Sequence, residues 1–198
     1  MPQTSVPFGA ILAQPGMPYD AEMSNRDVVS VVASQNIPFG SLVELTTGAA
    51  SVVNLPNDAG TGGSFLPKSV GIAMCNPLGT EESYLPGAVP NAGVGATAVG
   101  WLKGQKIPIM RRGRIWVLGD GGGTPLIFGA INVWHSSTGA NLQGVFTFSA
   151  VSTTVGAEID ICPNVVVWNP DILTAAQLVQ VDPFNNTFKI YPVGINLT

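Results

Sequence analysis

The chain has 198 residues, of which 10% are charged and 45% hydrophobic, with 24 Gly, 16 Pro and a net charge of −4. An ordinary soluble domain is about 25% charged, so here Gly, Pro, Ser, Thr and Asn stand in the place of charge, and long helices are excluded as the main architecture. The acidic balance, with a pI near 4.7, excludes a general nucleic-acid binder, which needs a net basic face. A surface this poor in charge is weakly protected against self-association, and proteins manage such surfaces by pairing or covering them.

Residues 1–24 read as an extended N-terminal arm. Pro2, Pro7, Pro15 and Pro18 oppose both helix and strand ladder. Phe8, Ile11, Leu12, Met17 and Tyr19 nevertheless make the segment too apolar for an ordinary disordered tail. It is suited to lying along another surface or to packing back on its own domain, and Phe8, Ile11, Leu12 and Tyr19 are its candidate partner contacts. The opening Met-Pro-Gln-Thr-Ser-Val-Pro lacks a basic region leading into an apolar core, and no apolar run approaches the length that crosses a bilayer. Cytoplasmic synthesis and no membrane partner are expected.

Residues 25–198 read as a single β-rich domain. Short β-branched runs bounded by turn residues predict strands at 28–32, 42–45, 51–55 and 70–74. Two loops rich in Gly and Pro follow from composition, at 57–64 and 76–95. Strands are predicted again at 98–102, 107–111 and 114–118, then at 127–134, 145–150, 158–161, 165–168 and 188–191. The one helix candidate is short, with Thr174 as N-cap and residues 175–179 as its body. So many short strands with frequent turns imply an all-β sandwich or barrel with long loops.

The residues for catalysis do not assemble. His135 is the single histidine, and the Gly-x-Ser-x-Gly nucleophile elbow is absent; a lone histidine at a strand end reads as a surface or satisfied residue. Glu158 and Asp160 are two apart and can share a strand face, which reads as a solvated edge. Pro67 occupies the second-glycine position of an otherwise loop-like Gly62–Ser69 and removes an N–H that a phosphate loop needs. Cys75 and Cys162 are far apart with no His cluster, so buried free thiols are expected in preference to zinc ligands. No enzyme activity, cofactor or metal is expected.

Five of the eight basic residues lie between Lys103 and Arg114. On a regular strand Arg112 and Arg114 share a side, with Arg111 opposite, unless Gly113 marks a bulge that re-aims them. Charge here can protect an edge strand, or the arginines can fork onto carboxylates of a partner. Arg111, Arg112 and Arg114 are therefore candidate interface residues. Trp101, Trp116, Trp134 and Trp168 all fall within or beside strand-like runs, which favours core or interface positions over a sugar-binding platform.

Three segments together resemble the structural cement, or capsid decoration, proteins of tailed bacteriophages: Asn36-Ile37-Pro38-Phe39-Gly40 leading into 42–45, then Val70-Gly71-Ile72-Ala73, then the run from Ile107 to Val117 with its Arg111-Arg112-Gly113-Arg114-Ile115-Trp116 centre. The resemblance spans about residues 25–118, with a family-variable part from about 119. It implies a non-enzymatic virion protein on the capsid exterior, made in the host bacterial cytoplasm, that cements neighbouring major capsid protein subunits. Self-association is expected too, as a homotrimer first and a dimer second, and no nucleic-acid partner. The alternative is a carbohydrate- or receptor-binding β-module displayed on a virion or cell surface.

Overall fold

The structure is a computed structural model, and it describes residues 15–18, 26–46, 48–56, 69–75, 100–120, 129–137, 143–154, 157–167, 179–181 and 187–196. Among these residues every regular element is a strand: β1 (Asp27–Ala33), β2 (Ile37–Pro38), β3 (Leu42–Leu45), β4 (Val52–Asn54), β5 (Ser69–Ala73), β6 (Gly100–Trp101), β7 (Lys106–Gly119), β8 (Ala130–Ser137), β9 (Phe146–Thr147), β10 (Ser152–Thr154), β11 (Ala157–Val167), β12 (Val179–Val181) and β13 (Thr187–Asn196). The all-β expectation holds. Val179, the last residue of the helix candidate, begins strand β12, and the rest of that candidate lies outside the described residues. So do both predicted loops and Trp168.

β7 organises the sheet. Its first half pairs with β1 on one side and β5 on the other, and the order β1-β4-β3-β5-β7 closes because β1 and β7 also pair. This is a five-stranded barrel. The second half of β7 pairs with β13 from Gly119 to Arg112, and a second circuit runs β7-β9-β8-β11-β13. A single residue pair, Gly119 opposite Phe146, joins β7 to β9 in that circuit. Closure satisfies strand edges that would otherwise recruit other chains.

There are two cores, and the second also takes in Leu42 of β3 and Ile72 of β5 from the first circuit. Val31, Ala33, Val43, Val53, Ala73, Ile107 and Ile109 fill the barrel. Met110, Ile115, Val117, Val133, Phe146, Val165 and Val193 belong to the second cluster. Side chains alternate along a strand, so Ile109 enters the barrel while its neighbour Met110 joins the other core. The two strands predicted at 107–111 and 114–118 are one strand, because a bulge replaces the turn. Asp27 faces Arg112 while Val28 faces Met110, which leaves Arg111 as the extra residue, and Gly113 adopts φ 132°. Glycine tolerates that conformation, and the bulge re-aims the strand from one circuit to the other.

Four residues of the expected arm are described, and they are part of the sheet. The Gly16 N–H donates to the Trp116 carbonyl at 2.6 Å, the Trp116 N–H to the Met17 carbonyl at 2.9 Å, and the Cys75 N–H to the Gly16 carbonyl at 3.0 Å. Pro18 sits opposite Ile115 in an antiparallel bridge. Two of these bonds satisfy β7 beyond the end of β5, and the third ties the segment to Cys75 just past β5. Gly16 has φ 79°, and a Cβ there would lie 2.5 Å from the Cys75 nitrogen and 2.7 Å from the Ala73 oxygen, so only glycine fits. Three backbone hydrogen bonds at about 0.5–1.5 kcal/mol each set the scale: a chain starting at residue 19 should be about 2–4 kcal/mol less stable in urea than one starting at residue 15. Equal stability of the two truncations would show that Pro15–Pro18 contributes nothing to the fold.

Candidate functional site

The basic stretch lies at the waist of the molecule, where β7 passes from one circuit to the other. Its three arginines are not equivalent. Arg111 Nε approaches Asp27 Oδ2 at 3.7 Å, with both side chains more than a third exposed, a pair worth less than about 1 kcal/mol. Arg114 is half-buried and already engaged within the protein. Arg112 is exposed. Lys103 and Lys106 are exposed too, at the other end of β1. The candidate arm residues Phe8, Ile11, Leu12 and Tyr19 lie outside the described residues.

The aromatic residues are built into the structure. Trp116 is 9% exposed and belongs to the second core. Trp101 is half-buried, packs edge-on against Phe39 with ring centroids 5.4 Å apart, and donates from Nε1 to the Met74 carbonyl at 2.7 Å. Trp134 donates from Nε1 to Asp120 Oδ2 at 2.7 Å. None of these three indoles forms an open platform on which a sugar could stack.

The surprise is inside the second circuit. His135, Glu158 and Asp160 are 1%, 3% and 2% exposed, so the carboxylates are a buried group and the solvated-edge reading is overturned. His135 Nδ1 lies 3.0 Å from Asp160 Oδ2 and 3.8 Å from Glu158 Oε2. Local geometry explains the placement: Glu158 faces Ser136 while Ile159 faces Trp134, which makes His135 the extra residue of a bulge in β8. Asp160 faces Val133, a core residue, and so points inward. Neither Asp160 oxygen makes a well-aligned hydrogen bond.

A histidine beside an aspartate is two members of a hydrolytic triad, but here both side chains are buried. Among the described residues no set of three His, Cys, Asp or Glu side chains is arranged to hold a metal ion. Both cysteines are buried free thiols. Burial pushes the Cys75 thiol up to about 11 and raises Cys162 further, which leaves neither with thiolate character at neutral pH. The buried trio therefore acts as a cross-link between β8 and β11. Removing one polar partner and leaving the other buried without it costs about 1–3 kcal/mol, so Asp160→Ala should lower the unfolding free energy by that amount. A loss below about 1 kcal/mol in chemical denaturation would refute the cross-link.

Among the described residues the arrangement is an all-β body with the His135, Glu158 and Asp160 side chains buried and Lys103, Lys106 and Arg112 exposed. The family model of the structural cement proteins, described by E217 gp24 and Pam3 gp6, matches residues 2–182. The chain belongs to this family and is a phage virion structural protein. The match runs well beyond the residues that carry the resemblance in the sequence and includes most of the second circuit. A chain in the structure of the capsid of Myoviridae phage XM1 shares the fold, with a TM-score of 0.56 at 16% identity, covering 93% of this chain and 90% of that one. No curated protein matches the sequence.

Proposed function

We propose that the protein binds the outer surface of a phage head and bridges neighbouring major capsid protein subunits, without catalysing a reaction. The observation that carries this reading is the exposed Arg112 at the bulge of β7, displayed on a rigid, doubly paired strand in a family of structural cement proteins. A protein with few charges gains most from an exposed arginine if it meets a carboxylate, and guanidinium binds carboxylate in a two-pronged geometry. The protein is made in the host cytoplasm and works as a homo-oligomer, a trimer in preference to a dimer. Weak contacts repeated around a symmetry axis then add up to firm attachment. The apolar arm, with Phe8, Ile11, Leu12 and Tyr19, supplies further contact area.

The reading is tested on heads assembled without the protein. Added protein should sediment with them and raise the temperature at which they release DNA. Arg112→Ala should weaken attachment at least tenfold, the effect of losing about 1.4 kcal/mol or more from a desolvated charge pair. Heads that neither bind the protein nor gain stability from it would overturn the reading.

A further inference from the structure

We propose that the face of this protein that meets the shell is the outer side of β1 with the first half of β7, and that it fits a capsid surface with an apolar strip flanked by carboxylates. The inference rests on the capsid-binding reading and assigns it a place and a chemistry.

The face follows from the register. Val29 and Val31 of β1 lie opposite Ile109 and Ile107 and turn into the barrel. Alternation then sends Val28, Ser30 and Val32 outward, opposite Met110, Pro108 and Lys106, of which Met110 is covered by the second core. Val28 is 44% exposed and Ser30 is exposed, while Val32 and Pro108 are half-buried. Val52 of β4, opposite Val32, is half-buried and widens the strip.

Among the described residues, charge on this strip sits at its ends. Lys106 is exposed at one end, with Lys103 beside it in the turn whose Gly104 N–H donates to the Ala33 carbonyl. Arg112 and Arg111 mark the other end, where Asp27 offsets one of the two positive charges. At about 3.3 Å per residue, the basic ends stand about 20 Å apart. A uniformly apolar partner would strip water from these cations without compensation, and a basic one would be repelled. Nucleic acid would find two small basic groups separated by an apolar gap, not a continuous track for its phosphates. An apolar surface with a carboxylate near each end satisfies every part of the face.

Attachment to heads assembled without the protein again supplies the test, with the folded state of each variant checked by thermal melting. Val28→Asp should weaken attachment at least tenfold by putting a carboxylate into the apolar strip. Lys106→Glu should weaken it at least tenfold and flatten its salt dependence. Ile161→Asp, at a position 52% exposed on β11 of the other circuit, should bind within twofold of the original. Firm attachment of the original protein with both Val28→Asp and Lys106→Glu within twofold of it would overturn this face alone and leave the cement reading standing. No attachment of the original protein would overturn both.

Discussion

The double use of β7 is the constraint on which the rest depends. Fourteen residues serve as a wall of two circuits, so the strand must bury side chains on different faces along its length. A regular strand shared this way would be too flat to curve into both. The bulge at Arg111 and the positive φ at Gly113 supply the change of direction. That break in the apolar pattern is also where side chains are least buried, and charge can be placed there without entering either core. The concentration of arginines in the middle of an otherwise apolar strand therefore has a structural reason as well as the proposed functional one.

The same logic covers the second polar feature. His135, Glu158 and Asp160 enter the second circuit because β8 carries a bulge at the histidine and β11 presents its acids inward. A β-barrel wall can hold such groups only when they face one another. Here they do, across neighbouring strands, and the arrangement ties β8 to β11 in the circuit whose closure at β9 rests on one residue pair.

Much of this was legible in the sequence and some was not. The β-branched runs of β1 and β3 mark their strands because burial of alternate Val and Ile residues is a local property. The breaks inside β7 and β11 read as turns because Gly113, and Pro163-Asn164, carry turn residues; in the structure β7 stays paired through Gly113, while β11 skips residues 162–164, with Asn164 at φ 61°, and resumes pairing at Val165. Register, not composition, decides that. The buried acid–histidine group was hidden for the same reason, since its members meet only through the pairing of β8 with β11. The basic cluster was visible, but the sequence could not say that Arg111 forms an ion pair with Asp27, that Arg114 is engaged, and that Arg112 is exposed. The outward side of β1 gave no signal at all, because three small or β-branched residues look like any strand until the opposite face is known to be core.

The central claim is that β7 makes the two circuits one cooperative body, which is what would hold a capsid-binding face rigid against a seam. Hydrogen exchange of the amides tests it most directly. Ile109→Ala removes packing inside the first barrel, where truncating an isoleucine costs about 2–5 kcal/mol, and its side chain belongs to the first core and not to the second. The account predicts that the slowest amides of β8, β11 and β13 lose protection by the same free energy as those of β1, β3 and β5. Protection that falls in the barrel strands and stays unchanged in β8, β11 and β13 would contradict it.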